Sequence, residues 1–271
     1  MKKTLGVLLS VAFIAGCGSN IEWFPETGVF TNQSTGTQPA ATPGKVMREI
    51  RFPTVVQWAS DIAFDRNTGT FWMLASTIGA PPNPPNALVR INAATGASLG
   101  GLAANGWPVT IVDGSTLAFD GNFFWITSGG NSKVHQMGPD AAYLALYNCP
   151  ATSTGLCQGL AWDNTTSSIW SVASDNANLA RSQVLNGVLL PTPQIYGNLW
   201  SGSGLTDVSF DSATGQVFVI KNGVILVQGS SGTGLGTISF TVPGSGRGDW
   251  DGRYFWVVDN TSKSIKALFV R

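Results

Sequence analysis

Residues 159–173, GLAWDNTTSSIWSVA, decide the fold of this chain. A short run of alternating apolar residues ends in the pair Trp162-Asp163, a turn of Asn, Thr and Ser follows, and then a second apolar run begins. Alternation with a period of two is typical of a half-buried strand, and small polar residues between two such runs are typical of a hairpin turn. This stretch therefore predicts a β-hairpin.

The same pattern occurs five times along the chain. Its repeated aspartates are 55, 43, 48 and 40 residues apart, a spacing close to the roughly 40 to 50 residues of a four-stranded propeller blade. No long window of helical periodicity interrupts the repeats, so we predict an all-β fold. The five aromatic–aspartate pairs are Phe64-Asp65, Phe119-Asp120, Trp162-Asp163, Phe210-Asp211 and Trp250-Asp251.

The count of strands predicts a closed ring of five blades. The fifth repeat ends after its third strand, SIKALFVR (264–271), and the segment VMREIRFPT (46–54) before the first repeat supplies a fourth. A closed ring removes exposed sheet edges. A sixth blade within the longer spacing between Asp65 and Asp120 is the alternative, but the prolines between Pro81 and Pro85 explain that excess as a loop. We therefore predict a five-bladed β-propeller over residues 48–271.

The N-terminus resembles the signal peptide of a bacterial lipoprotein. Lys2 and Lys3 precede an apolar run from Leu5 to Ala15, which is too short to span a membrane. The run leads into Ile14-Ala15-Gly16-Cys17, which resembles a lipobox. The resemblance implies cleavage after residue 16, a lipid on Cys17, and export to the outer membrane, on its periplasmic face or at the cell surface. An ordinary secretion signal followed by a coincidental cysteine is the alternative.

Residues 17–47 are predicted to form a flexible tether. They are rich in Gly, Ser, Thr, Pro, Asn and Gln, and such a composition buries too little apolar surface to offset the entropy of ordering. The remaining cysteines, Cys149 and Cys157, are predicted to form a local disulfide, which an exported compartment permits. A redox pair would have the closer spacing of a Cys-x-x-Cys motif.

Composition excludes several classes of function. The 271 residues include 15 basic and 15 acidic side chains and only 11% are charged, so the chain lacks the electrostatic footprint of nucleic-acid binding. One histidine and three cysteines exclude a multi-histidine zinc site, a haem and an iron–sulfur cluster. We therefore expect no nucleic-acid partner and no cofactor, although the acidic residues described next leave calcium open.

Four polar residues are predicted to gather at the axis of the ring. The positions two and four residues before each repeated aspartate share one face of the first strand, and most of them carry small residues. The exceptions are Asp61, Asp207, Arg247 and Asp249. Either an Asp–Arg network fills the channel, or Asp61, Asp207 and Asp249 hold a cation such as Ca²⁺. The repeated aspartates themselves are predicted to begin tight turns.

Three tryptophans are candidates for partner binding. Trp58, Trp107 and Trp200 lie in the connections that lead into first strands. In a propeller these connections lie on one face, which we call the top face. Flat aromatic side chains there suit stacking on sugar rings or a hot spot for a protein partner. The alternative is that they pack between blades.

The motifs GLAWD (159–163) and WDGRYFWVVDN (250–260) resemble two groups of propellers. One is the NHL/YncE/SMP-30-like set of exported bacterial proteins, and the other is the plant and bacterial type of glutaminyl cyclotransferase. The second resemblance implies five blades and cyclisation of N-terminal glutamine. The position of that family's acid/base glutamate is Ala75 here, and the exported chain carries Glu only at Glu22, Glu26 and Glu49, before the first repeat.

These observations favour a binding function. We expect a propeller, attached to the membrane only by its lipid anchor, that acts as a binding or scaffold module for an envelope protein or glycan through its top face. The alternative is an enzyme that uses the axial carboxylates Asp61, Asp207 and Asp249.

Overall fold

The structure is a computed structural model that describes residues 19–24, 29–34, 42–77, 85–103, 107–108, 111, 115–127, 131–152, 155–173, 178–196, 204–229, 234–238, 242–244 and 246–270. Within these ranges the chain forms 23 β-strands and no helix. Strands β1 (Ser19–Phe24) and β2 (Val29–Ser34) pair as an antiparallel hairpin, and the other strands form five separate sheets.

Each sheet contains one of the five repeats, which confirms the predicted five-bladed propeller. Blade 1 consists of β4 (Val56–Asp65), β5 (Thr70–Thr77), β6 (Ala87–Asn92) and β7 (Ser98–Ala103). Blade 2 consists of β8 (Leu117–Phe119), β9 (Phe124–Thr127), β10 (Lys133–Met137) and β11 (Tyr143–Asn148). Blade 3 consists of β12 (Cys157–Asp163), β13 (Ser168–Ala173), β14 (Leu179–Leu185), β15 (Val188–Leu189) and β16 (Gln194–Ile195).

The outer position of blade 3 is shared by β15 and β16, which both pair with β14. Pro191 and Pro193 lie between them, and proline cannot donate to a strand ladder. The remaining two sheets are regular. Blade 4 consists of β17 (Leu205–Asp211), β18 (Gln216–Lys221), β19 (Val224–Gly229) and β20 (Gly234–Ile238). Blade 5 consists of β21 (Gly248–Trp250), β22 (Phe255–Asp259), β23 (Ser264–Leu268) and β3 (Val46–Arg51).

The N-terminal strand closes the ring, as predicted. Strand β3 pairs antiparallel with β23, with Ile50 opposite Ile265 and Arg51 opposite Ser264. The Ile50 side chain is buried in a cluster that also contains Val258 of blade 5 and Phe71 of blade 1. Closure therefore joins the first and last blades through both backbone pairing and a shared apolar core.

The repeated aspartates begin tight turns, as predicted. In each turn the Oδ1 atom accepts a hydrogen bond from a backbone N–H two residues later, as with Asp65 and Asn67 at 3.0 Å or Asp163 and Thr165 at 2.9 Å. In three blades the Oδ2 atom also accepts a hydrogen bond from the indole N–H of the second-strand tryptophan. These pairs are Asp120–Trp125, Asp163–Trp170 and Asp251–Trp256.

The predicted disulfide is present. Cys149 and Cys157 are bonded, with their Cα atoms 6.0 Å apart. Cys149 directly follows β11 and Cys157 begins β12, so the bond joins blade 2 to blade 3.

The leader residues 1–16 and Cys17 lie outside the described residues, and the lipid anchor stays a prediction. The β1–β2 hairpin lies within the segment predicted as a tether, and the tether also stays a prediction. None of the described residues belongs to a helix long and apolar enough to cross a membrane.

Candidate functional site

The predicted polar residues lie in two layers along the axis of the ring. The upper axial cluster, nearer the top face, consists of Asp61, Asp207, Arg247 and Gln158. The lower axial cluster consists of Asp249, Ser209 and Arg66. Successive residues that share a strand face are about 6.6 Å apart, so the two layers are one such step apart, and the charge of Asp249 still acts to raise the pKa of Asp61.

Each aspartate of the upper axial cluster bridges two blades. Asp61 Oδ2 accepts a hydrogen bond from the backbone N–H of Leu117 at 2.8 Å, and Asp207 Oδ2 accepts one from Gly248 N at 2.7 Å. Both donors belong to the first strand of the following blade. The other oxygen of each carboxyl group accepts the N–H of the next residue, Ile62 or Val208, at 2.8 Å.

These bridges have a physical cause in the propeller geometry. The first strand of each blade is the inner edge of its sheet, so half of its backbone N–H groups point toward the axis without a strand partner. A buried N–H without an acceptor is costly. The carboxyl groups of Asp61 and Asp207, each 1% exposed, supply that acceptor. The expected ion pairs with Arg247 do not form among the described residues.

The equivalent position in blade 3 requires glycine. A Cβ atom on Gly159 would lie 2.6 Å from the Cα atom of Asp207 and 2.7 Å from Val208 N. The first strands of blades 3 and 4 are therefore in direct backbone contact. The small residues predicted near the axis follow from this close approach.

Burial changes the protonation of the upper axial cluster. Desolvation raises the pKa of Asp61 to about 8, although hydrogen bonds from Leu117 and Ile62 and the charge of Arg247 act in the opposite direction. Desolvation and the neighbouring Asp61 raise the pKa of Asp207 well above its usual value. Burial therefore disfavours the charged forms of both carboxyl groups, which lie beside the cation Arg247.

That cation, Arg247, is only partly satisfied. It is half-buried, and its Nη2 atom donates to Gln158 Oε1 at 3.3 Å. Its Nε atom is buried and has no hydrogen-bond partner in the part of the chain that the structure describes. An arginine presents five donors in a fixed planar fork, and the half-buried Arg247 uses one of them in the described part of the chain.

The lower axial cluster is internally satisfied. Asp249 Oδ2 accepts the backbone N–H of Phe64 at 2.8 Å, which joins blade 5 to blade 1, and Asp249 Oδ1 accepts the hydroxyl of Ser209. Arg66 Nη2 donates to the carbonyl oxygens of Phe210 and Trp250, both at 3.0 Å. A cavity of about 80 Å³ lies against Arg66 and Asp249.

Sequence analysis missed Arg66. The sequence does distinguish this residue from its equivalents in the other repeats. The residues that follow the repeated aspartates are Arg66, Gly121, Asn164, Ser212 and Gly252. Arg66 is the only long side chain among these five. Its position across the lower end of the axis depends on the closed ring, because the two carbonyl oxygens that accept its hydrogen bonds belong to blades 4 and 5.

The described residues contain no group of three or more acidic, histidine or cysteine side chains that could hold a metal ion. The candidate calcium ligands divide between the two layers: Asp61 and Asp207 lie in the upper one and Asp249 in the lower one. Their oxygens accept backbone N–H groups.

The three candidate tryptophans differ in their surroundings. Trp58 is half-buried in β4. Trp107 is also half-buried, packs on an apolar cluster between blades 1 and 2, and donates its indole N–H to the carbonyl oxygen of Ala141 at 2.8 Å. Trp200 lies outside the described residues. Partner binding by these residues stays a prediction, and part of the Trp107 ring is already used inside the molecule.

A larger concavity lies at the outer rim of the ring. A groove of about 590 Å³ runs between the outer strands of blades 2 and 3, next to the disulfide. Its walls include Leu146 and Tyr147 of β11 and Leu190 and Ile195 of blade 3.

Comparison with known proteins supports the fold. No protein-family model matches the chain, and no curated protein matches its sequence. Among solved structures, Myxococcus xanthus glutaminyl cyclase is similar over 83% of this chain and 95% of that one, with a TM-score of 0.53 and 12% identity. A chain of the nidogen/laminin complex is similar over 77% of this chain and 74% of that one, with a TM-score of 0.52 and 13% identity. The chain therefore shares the β-propeller fold with these proteins.

Proposed function

We propose that the protein is an exported, lipid-anchored recognition module that binds an envelope protein through its top face. The observation that supports it is Arg247, a half-buried cation at the axis whose guanidinium makes one hydrogen bond among the described residues, from Nη2 to Gln158 Oε1. A carboxylate of the partner would complete the donor fork of this guanidinium. Arginine is well suited to such pairs because its fork matches a carboxylate in a bidentate geometry.

The surroundings of Arg247 favour a bound anion. The nearest carboxyl groups, Asp61 and Asp207, are buried, and desolvation disfavours their charged forms: it raises the pKa of Asp61 to about 8 and that of Asp207 well above its usual value. They therefore offer the guanidinium little compensating charge. In a partly desolvated site a charged hydrogen bond is stronger than at an open surface, so one carboxylate of a partner gains more here than at an exposed arginine.

The alternative of an enzyme receives less support from the same residues. A general acid or base must come within hydrogen-bond distance of the proton that it transfers. The side chains of Asp61 and Asp207 are 1% exposed, and both oxygens of each accept backbone N–H groups. These carboxyl groups connect blades and are not presented to a substrate.

Substitution of Arg247 tests the recognition site. We expect Arg247→Gln to weaken retention of the envelope partner about tenfold or more, because a hydrogen bond to a charged group contributes about 1.5–3 kcal/mol. The measurement is capture from solubilised envelopes by the full-length protein, quantified over a range of salt concentrations. Arg247→Lys, which keeps the charge but loses the fork, should be intermediate.

Arg51→Gln is the matched control. Arg51 is exposed on β3, far along the blade from the axis, and donates to the carbonyl oxygen of Ser262 at 3.1 Å. The control should bind as the parent does, and all variants should show the parent's unfolding transition. Equal retention by Arg247→Gln and the parent, or a captured ligand that is a glycan, would refute the proposal.

The location of the protein has its own test. Cys17→Ala removes the residue predicted to carry the lipid, so the protein should move from the membrane fraction to the soluble exported fraction. Fractionation followed by immunoblotting measures this. Protein that remains in the membrane fraction would show that Cys17 is not the anchor.

A further inference from the structure

Strand β11 is an outer edge strand that has a bulge at Leu144 but lacks the other features that usually prevent edge-to-edge pairing. Among the described residues it pairs only with β10. Its sequence, Tyr143-Leu144-Ala145-Leu146-Tyr147-Asn148, contains no charge, glycine or proline. Leu144 and Leu146 are 52% and 50% exposed. Natural proteins usually protect such edges with charged residues, proline, bulges or very short strands.

The other outer strands carry those protective features. Strand β3 contains two arginines and a glutamate, and β7 contains two adjacent glycines, of which Gly100 has a positive φ of 103°. In blade 3 the outer position is divided into two short strands with prolines between them. The sequence of β20 contains Gly234 and Gly236. An exposed edge without charge, glycine or proline, with regular pairing from Ala145 to Asn148, is therefore a specific property of blade 2.

The free backbone groups of β11 can be identified. Cys149 N donates to Ser132 O of the neighbouring chain segment at 2.8 Å, so the backbone of residue 149 faces β10. In an antiparallel pair the direction of these groups alternates with each residue. The N–H and C=O groups of Asn148 and Leu146 therefore point away from β10, toward the open edge.

We infer that β11 pairs antiparallel with β11 of a second copy of this chain, around a two-fold axis at Leu146. In this register the N–H of each Leu146 donates to the carbonyl oxygen of Leu146 in the other copy. Ala145 of one copy lies opposite Tyr147 of the other, and the exposed side chain of Leu146 packs against Leu146 of the other copy. The two blades then form one continuous sheet.

Charge complementarity favours a second copy as the occupant of this edge. Lys133 lies opposite Asn148 in the pairing of β10 with β11, and its Nζ atom donates to Asn148 Oδ1 at 2.6 Å. Exposed Asp140 lies in the turn that precedes the other end of β11. Antiparallel self-pairing brings Lys133 of each copy to the end at which Asp140 of the other copy lies. A parallel arrangement would place like charges together.

Cysteine crosslinking tests the two-fold axis. In a hydrogen-bonded antiparallel pair, opposite Cα atoms are about 5.5 Å apart, within the range of about 4.4–6.8 Å that a disulfide spans. Leu146→Cys in the full-length anchored protein should therefore yield a covalent dimer when envelopes are mildly oxidised. Leu99→Cys is the control, since Leu99 is also 50% exposed on an outer strand, and it should remain monomeric on a non-reducing gel.

Charge reversal tests the antiparallel direction. In the Leu146→Cys protein, Lys133→Asp or Asp140→Lys alone should lower the yield of dimer about twofold or more, because each places like charges together. The two reversals combined should restore it. The absence of a covalent dimer would overturn self-pairing, and so would an equal yield of dimer from Leu99→Cys. Crosslinking of the Leu146→Cys variant to a different protein through its introduced thiol would also overturn it. Insensitivity to both charge reversals would overturn the antiparallel register.

Discussion

The free energy of unfolding should fall as the pH rises from about 4 to about 8. Burial raises the pKa of Asp61 to about 8 in the folded chain, whereas an exposed aspartate in the unfolded chain titrates near 4. Between these values the folded chain keeps a proton that the unfolded chain releases. The decrease is about 1.4 kcal/mol for each pH unit per such group, and Asp207, whose pKa is also raised by burial, adds to it.

An aspartate whose pKa is shifted in the opposite direction limits stability on the acid side. Burial raises the pKa of Asp259, but hydrogen bonds from Lys266 and Ser262 outweigh this effect and lower the pKa to about 2. The stability that this aspartate contributes is present above about pH 4 and is lost as the pH falls toward 2. Maximum stability is therefore expected near pH 4, below the usual range of about pH 5 to 8 for proteins.

Denaturant unfolding at a series of pH values measures the effect, with Asp61→Asn as the test variant. Asparagine cannot ionise, so the variant should lose the part of the slope between pH 4 and 8 that Asp61 causes. Its Oδ1 atom can replace only one of the two acceptor oxygens, so some stability is lost at pH 4. Glu49→Gln, at an exposed position of β3, is the control and should unfold as the parent does at each pH. A free energy of unfolding that is constant or increases from pH 4 to 8 in the parent would contradict the protonated state of this cluster.

Deletion of residues 46–54 should abolish the single cooperative unfolding transition. The deletion removes β3, whose backbone pairs with β23 over residues Ser264–Leu268, and leaves the last blade with an open edge. It also removes Ile50 and Phe52 from the apolar cluster shared by blades 1 and 5. Each blade packs on both of its neighbours. An open ring therefore exposes apolar surface on both the first and the last blade.

A point substitution keeps this prediction testable if the deletion variant fails to fold. Ile50→Ala should cost about 2–5 kcal/mol, the range for truncation of a buried isoleucine. Val46→Ala, an exposed position on the same strand, should have little effect. A synthetic peptide of residues 42–54 should restore stability to the deletion variant. A deletion variant that unfolds like the parent would refute the role of this strand in closure.

The repeat and its closure could be predicted because both depend on the local sequence pattern and on the number of strands that the repeats supply. Alternation, turn residues and the spacing of the aromatic–aspartate pairs are visible along the chain, and a ring with one strand missing at its end requires a strand from its beginning. The turn role of the repeated aspartates also follows from local chemistry. The side chains of Asp65 and Asp163 accept backbone N–H groups only two residues away.

The contacts at the axis could not be predicted, because they depend on which blades are neighbours and on how closely their inner edges approach. Sequence analysis placed Asp61, Asp207, Arg247 and Asp249 near the axis, but it expected an ion-pair network or a cation. In the structure the carboxyl groups of Asp61 and Asp207 accept N–H groups of Leu117 and Gly248, residues 56 and 41 positions away along the chain. The unpaired donors of the inner edge strands are buried only once the ring is closed. The same closure places Arg66 across the lower end of the axis, where it donates to carbonyl oxygens of blades 4 and 5. The composition of the blades is therefore a property of the sequence, and the chemistry of the axis is a property of the ring.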